Sequence, residues 1–433
     1  MMQNPVFSDR FQEVYRALVA PKTGIIRRLV DLPLQPDEAP LFISAATCTT
    51  PQYFSRNATP EQIFYTVQAN GVGFTREDCL WSVMGEACER YASGIYFEDE
   101  LVEASIAEMG DAAVDMTRFI AYDEAQYANP DFPWRRLARN QPLRWTPGKS
   151  LKDGREVYLP AYQVWMGCVP RLAGEMCLPQ LSTGQGAGAT LEQAILSGLN
   201  EVVERDSFTS AWLLRYSPPQ LRFGADIDPR LAGLLNIPRL GIRVLDISTD
   251  LGLPCYLTLL TPEQAGGVAV GASANRSAMT ALLKSVMEAH HTRNWTIELA
   301  RTAEKTDERS ISDFEHHVRF YLHPEQRHRL QFLHEGPVQT FQHEPDTESI
   351  PERLAASIAA LERAGFEAFY VDITPADLAS IGIHTVKVIV PGLQPLHVGY
   401  GTEHRDPRRL KQVAAHWGLD WPRALNSDPH PFP

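Results

Sequence analysis

Gly73-Phe-Thr75-Arg-Glu-Asp-Cys-Leu-Trp-Ser82-Val-Met-Gly-Glu86-Ala-Cys-Glu89-Arg90 and Gly188-Ala-Thr190-Leu-Glu-Gln-Ala-Ile-Leu-Ser197-Gly-Leu-Asn-Glu201-Val-Val-Glu204-Arg205 carry one string twice, 115 residues apart. Wound at about 100° per residue, the Ser, Glu and Glu at i, i+4 and i+7 fall within roughly 60° of one another. Each copy therefore presents a row of oxygen atoms. The opposite face is apolar, with Leu80, Met84, Ala87 and Tyr91 in one copy and Ile195, Leu199, Val202 and Val203 in the other, so each helix should dock on a core with its carboxylates turned away from it. Thr75 and Thr190 stand where a hydroxyl caps a helix, with Asp78 and Gln193 three residues on as capping-box partners. A weaker third copy sets Asn275, Ser277, Lys284, Glu288 and His291 in the slots of Gly, Thr, Ser, Glu and Glu, which predicts an internally repeated architecture.

The 433 residues suffice for two or three domains or one large elaborated one. A formal charge of −13 argues against a nucleic-acid surface. Six cysteines without a CxxC spacing argue against a zinc site or a disulfide framework. The N-terminus has no signal-like segment, and no apolar run reaches membrane-spanning length; a soluble protein of the cytoplasm is the expectation.

Residues 1–64 read as an N-terminal arm or entry segment, and 65–433 as the main domain with a Pro-rich tail at 427–433. Turn chemistry fills 110–150. Strands are predicted at 157–164, 242–247, 254–260, 369–373 and 386–390, and helices at 277–300 and 352–364. Residues 302–350, polar and His-rich, read as a surface excursion. Strands and helices mix without strict βαβ alternation, so the expected class is α+β with repeated helix-on-sheet units and mixed or antiparallel sheets.

Glu86 with Arg90 and Glu201 with Arg205 have the spacing of ordinary surface ion pairs, and a structural role is open on that ground. Glu89 and Glu204 weigh against it, since each follows another glutamate by three residues without an i+4 basic partner. Carboxylates from several helices suit a hard cation such as Mg²⁺, which commonly accompanies nucleotide phosphates. Gly148-Lys149-Ser150 lacks the opening glycine of a phosphate loop, because Leu143 stands there. Gly184-x-Gly186-x-x-Ala189 matches a dinucleotide fingerprint only formally, yet a Gly-rich turn before a helix can cradle phosphate. No Gly-x-Ser-x-Gly elbow is present, and no cysteine has a nearby His that would mark it as a nucleophile. The ending Pro429-His-Pro-Phe-Pro433 has the composition of a disordered tail, but its alternating prolines would also hold it extended and place a terminal carboxylate at a chosen point.

Together these pieces resemble the YcaO family over about residues 65–433. The residues carrying the resemblance are Ser82, Glu86, Glu89 and Arg90, the run from Ser182 through Gly184, Gly188 and Thr190 to Glu201, Glu204, Arg205 and Asp206, Leu245 to Pro254, Glu288 with Arg293, and the terminal prolines. The ending is most similar to the cyclodehydratase subunits of microcin-type azole peptide synthetases. The resemblance implies ATP and Mg²⁺ as cofactors, with Glu86, Glu89, Glu201, Glu204 and Glu288 holding Mg²⁺. It implies Arg293, Arg90, Ser182 and Ser82 near the nucleotide and the Pro433 carboxylate as a catalytic group. The implied reaction turns Cys, Ser or Thr of a ribosomally made precursor peptide into thiazoline or oxazoline by phosphorylating the backbone amide oxygen. Implied partners are that peptide, a leader-binding subunit resembling a ubiquitin-activating enzyme or bearing an RRE, and a flavin-dependent dehydrogenase, around a homodimer within a larger complex. Thioamide or amidine formation and a non-catalytic ATP-binding scaffold are the alternatives. His291 stands where the family often has Gln, and Val72 where many members have Lys. Arg293 is about 140° around an ideal helix from Glu288.

Overall fold

Each copy of the string begins in a strand and crosses a capped turn into a helix. The structure, a computed structural model, describes residues 7–34, 38–51, 67–224, 227–263, 266–302 and 305–433. Among these, Gln68–Gly73, Gln185–Gly188 and Ala269–Ala274 are the strands, and Arg76–Ser93, Leu191–Leu213 and Ala278–Ala300 are the first, second and third repeat helices. The caps form as expected. Thr75 accepts the Asp78 N–H at 3.1 Å while the Asp78 carboxylate takes the Thr75 N–H at 3.3 Å. Thr190 accepts from Gln193 at 3.2 Å, but the Gln193 amide turns to the Ala189 N–H instead of the cap residue. Ser277 accepts from Thr280 at 3.3 Å. Strand and helix lie backbone to backbone at Gly71 and Gly186, where a Cβ would fall 2.6 Å from the Cys79 carbonyl oxygen and 2.2 Å from that of Ala194.

Each repeat strand belongs to a different sheet. β1 (Ile26–Asp31), β2 (Phe42–Cys48) and β3 (Gln68–Gly73) form an antiparallel sheet in that order. The second sheet has the order β4 (Val102–Ser105), β5 (Pro142–Ser150), β13 (Phe369–Asp372), β14 (His384–Ile389) and β7 (Gln185–Gly188), with β6 (Glu156–Pro160) paired to β5. The third runs β11 (Ala269–Ala274), β10 (Cys255–Pro262), β9 (Leu240–Asp246), β8 (Gln220–Arg222) and β12 (Val338–Thr340), antiparallel except for the β8–β12 pair. The class is α+β.

The three units interlock in a cycle. Every repeat helix packs on its own strand and also on the strand of the next unit: the first helix on β7, the second on β11, the third on β3. The second helix is buried nearly all round, with Ile195, Leu199, Val203 and Phe208 set between β10, β11, β14 and the Ile350–Arg363 helix. The first helix buries Leu80, Val83, Met84 and Ala87 against β2, β5, β6 and β13. The third packs Ala281, Leu282 and Val286 against Leu41 and Ile43.

Several stretches differ from expectation. The 1–64 segment contributes β1, which pairs with β2, and β2, which pairs with β3, so its described strands are integral to the first sheet. The strand expected over 157–164 ends at Pro160 and turns into the short helix Ala161–Val164. The 302–350 stretch is polar in composition but sends Phe320, Tyr321, Leu330, Phe332 and Leu333 into the main core. These apolar residues are a minority that the average composition conceals. The Pro-rich tail is no loose end: His430 and Phe432 are fully buried.

Candidate active site

The first glutamate of each copy accepts a backbone N–H from the strand that leads into its own helix. Asn70 donates to Glu86 at 2.6 Å, Gly184 to Glu201 at 2.9 Å and Ala272 to Glu288 at 2.8 Å. These bonds turn the carboxylate rows to one end of the three units. The charge of the first slot of the next helix then acts on the second slot of each copy. Burial first, and then the Glu201 and Glu86 charges, push Glu89 up to about 8, although the Ala187 N–H bonds it at 2.8 Å. Burial likewise raises Glu204, with Glu288 and Glu201 adding to the shift and Arg205 opposing it. Glu288 is raised by burial, against Arg205 and the Ala272 N–H. The cycle closes at His291, which burial pushes down and the Glu86 charge pulls up. Glu89·Glu201, Glu204·Glu288 and His291·Glu86 are thus three equivalent junctions around a pseudo-threefold ring.

Arg205 is the cation of this ring. Its Nη2 reaches Glu201 at 3.3 Å and its Nη1 stands 3.1 Å from Glu204. The second contact is off the line of a hydrogen bond, so buried Nη1 keeps an N–H without an acceptor. Glu204 therefore has the basic neighbour that the i+4 rule failed to give it: Arg205 bridges both carboxylates of its copy. The Arg205 guanidinium also lies 4.3 Å from the centre of the Phe432 ring, which brings the chain end at Pro433 beside the ring.

The tail is threaded there by buried bonds. The His317 Nδ1–H donates to the His430 carbonyl at 2.9 Å and His430 Nε2–H to the His397 carbonyl at 2.8 Å, while His430 Nδ1 accepts from Phe432 at 3.2 Å. The His317 and His430 rings stack at 3.9 Å. Burial lowers both histidines, which stay neutral, and Trp212 Nε1 donates to the Asp428 carbonyl at 2.9 Å.

The expected residues divide. Glu86, Glu89, Glu201, Glu204 and Glu288 come together in the ring. Arg90 pairs with Glu86 at 2.8 Å on the exposed side. Ser82 is exposed, and Ser182 is half-buried with its carbonyl accepting from Gln185. Arg293 is buried, and its charge lowers His290.

Three features went unread. Lys387 on β14, 3 % exposed, donates to the carbonyls of Leu181 and Thr183 at 2.6 and 2.7 Å. Burial pushes it down to about 8 against the pull of Glu201. Asp206 and Arg409 form a fully buried ion pair at 2.7 Å, with Asp250 on the same guanidinium at 2.8 Å. The three-histidine clamp on the tail is the third. Each joins residues far apart in sequence, and only the Asp after Glu204-Arg205 was a visible sign.

The donor set suits a hard dication with an anion. Mutually repelling carboxylates supply oxygen ligands and the orphaned Arg205 N–H supplies an anion contact. Among the described residues no three His, Cys, Asp or Glu side chains enclose an ion by themselves. Mg²⁺ takes one or two carboxylates and completes its shell with phosphate and water. Among the described residues, no helix is long and apolar enough to cross a membrane.

Comparison with known proteins gives this geometry a family. The family model described as YcaO cyclodehydratase, ATP- and Mg²⁺-binding, matches residues 70–394. An uncharacterized protein in the tfuA 3′ region of Rhizobium leguminosarum bv. trifolii is 27% identical over 349 residues, 75% of this chain and 76% of that protein. A heterocyclase solved in complex with substrate and cofactor is 26% identical with a TM-score of 0.81 over 98% of this chain. The chain spans 57% of that heterocyclase's length. YcaO from Methanopyrus kandleri, solved with AMPPCP and Mg²⁺, superposes with a TM-score of 0.61 at 18% identity, over 89% of each chain.

Proposed function

This chain belongs to the YcaO family, whose members bind ATP and Mg²⁺, and we propose that it is a peptide cyclodehydratase. The single observation that carries this reading is the ring itself: glutamates from three helices, with Arg205 on Glu201 and Glu204 and the Phe432 ring of the chain's last residues against that arginine. Mg-ATP supplies the phosphoryl group that activates a backbone amide oxygen after a Cys, Ser or Thr side chain has attacked the carbonyl. Glu89, Glu201, Glu204 and Glu288, with Glu86 at the rim, hold the metal ions. Arg205 steadies phosphate charge in a site where burial strengthens it. Ser182, Ser82, Arg90 and Arg293 line the nucleotide beside the ring. The Pro433 carboxylate, carried in by the buried tail, takes the proton from the attacking group.

The precursor peptide is the substrate. The proposed partners are a leader-binding subunit and, as a later partner, a flavin-dependent dehydrogenase, around a homodimer in the cytoplasm. The relative from the tfuA 3′ region favours a second reading, exchange of the amide oxygen for sulfur on the same ATP chemistry. Mass spectrometry of the treated peptide decides between them. Loss of one water per ring supports cyclodehydration, and oxygen-for-sulfur exchange supports the second reading. An unmodified peptide with no peptide-dependent ATP use would leave only a scaffold.

A further inference from the structure

The ring is threefold in backbone and not in chemistry. At equal offsets the second slots are Glu89, Glu204 and His291, so two junctions oppose a carboxylate to a carboxylate and the third opposes an imidazole to Glu86. The third junction is also the one whose carboxylate is most completely occupied. Glu86 Oε2 takes the Asn70 N–H at 2.6 Å and Oε1 takes Arg90 Nε and Nη2 at 2.9 and 2.8 Å. By contrast, Arg205 divides between Glu201 and Glu204 at 3.3 and 3.1 Å, and Lys284 and Lys387 act on Glu288 and Glu201 only through their charge, so the carboxylate oxygens of these two junctions have fewer direct bonds than those of Glu86. An imidazole brings one lone pair and no fixed negative charge, and hard cations such as Mg²⁺ favour oxygen over that nitrogen.

Resting on the nucleotide reading above, we infer that His291 is a positioning residue that fixes where divalent cations enter the ring. They sit at Glu89·Glu201 and Glu204·Glu288, and the Glu86·His291 junction is kept clear. A symmetric ring would hold a triphosphate in any of three pseudo-equivalent directions. With cations confined to two adjacent junctions, only one direction puts phosphates over metal and the other end of the nucleotide toward His291.

The experiment uses Mn²⁺, an EPR-visible substitute for Mg²⁺, with AMPPCP and the full chain. The native protein should bind one Mn²⁺ per carboxylate junction, without nitrogen coupling in the electron spin echo. His291→Gln should leave the count unchanged, and His291→Glu, which completes the symmetry, should raise it by one and weaken AMPPCP binding through loss of a unique direction. Nitrogen coupling in the native protein that vanishes in His291→Gln would make His291 a ligand and overturn the inference. So would an unchanged count in a folded His291→Glu. The native spectrum needs no variant, so misfolding of His291→Glu does not shield the idea. Failure of the native protein to bind Mn²⁺ with AMPPCP would instead overturn the nucleotide reading, and this inference with it.

Discussion

Glu89 receives one backbone N–H, from Ala187, while facing Glu201 and Glu86 in a recess. Without a cation its carboxyl is raised from 4.5 to about 8. A raised folded-state value means that the stability this group lends is complete below about 4.5 and is lost as pH rises through about 8. Glu89→Gln keeps an acceptor for Ala187 and cannot ionise. In EDTA it should therefore gain stability over the native protein by on the order of 1 kcal/mol per pH unit between about pH 5 and 8, with the difference level above that. With Mg²⁺ and nucleotide the order should reverse, and peptide-dependent ATP use should fall at least about a hundredfold, the scale set by removing one electrostatic contact in a water-excluded site. Melting curves across pH, with and without Mg²⁺, check both halves. Equal melting temperatures at every pH would remove Glu89 from the repelling cluster. The glutamates were legible because the helical period alone aligns them. The bond from Ala187, which couples the first unit to the second, has no local signature in either segment.

At the scale of elements, the Ser182–Gly188 segment is a ledge on which the ring rests. Gly184 and Ala187 on it donate to Glu201 and Glu89, and from below Lys387 grips the Leu181 and Thr183 carbonyls. Gly184 has φ +89°, and a Cβ there would lie 2.1 Å from the Val388 carbonyl oxygen, so the ledge touches β14 directly. Lys387→Met would leave two carbonyls without their donor, at about 1–3 kcal/mol each if they stay buried. The ledge should then shift and loosen Glu201. We expect about tenfold higher KM for ATP with a smaller change in kcat, and no rescue by Lys387→Arg, whose planar fork does not fit a pocket made for an ammonium. Steady-state kinetics at varied ATP test this, and an unchanged KM would confine Lys387 to stability. The helix caps and the glycines before them were readable as local chemistry. Lys387 was not, because its partners lie across the β14–β7 pairing, about 200 residues earlier in the chain.

Across the whole molecule, the last residues of the chain are part of the core that supports the ring. Phe432 lies against Phe208 at 4.6 Å, and His430 stacks on His317. Tyr321 and Trp212 both bond to tail carbonyls. The 302–350 stretch, polar on average, supplies much of this seat, which is why composition concealed it. The proposed chemical duty of the tail is superimposed on this structural one, and simple deletion cannot separate them. Removing 429–433 would expose Phe208, Trp212 and Tyr321 and forgo burial of Phe432 alone worth about 2–3 kcal/mol; we expect a lower melting temperature together with lost activity. Adding one glycine after Pro433 moves the terminal carboxylate without disturbing His430 or Phe432. That variant should melt as the native protein does and still bind Mn²⁺ with AMPPCP, yet lose most peptide-dependent ATP use. If the extended chain kept full turnover, the Pro433 carboxylate would have no part in proton transfer, and the tail's contribution would be the packing that holds Arg205 against Phe432.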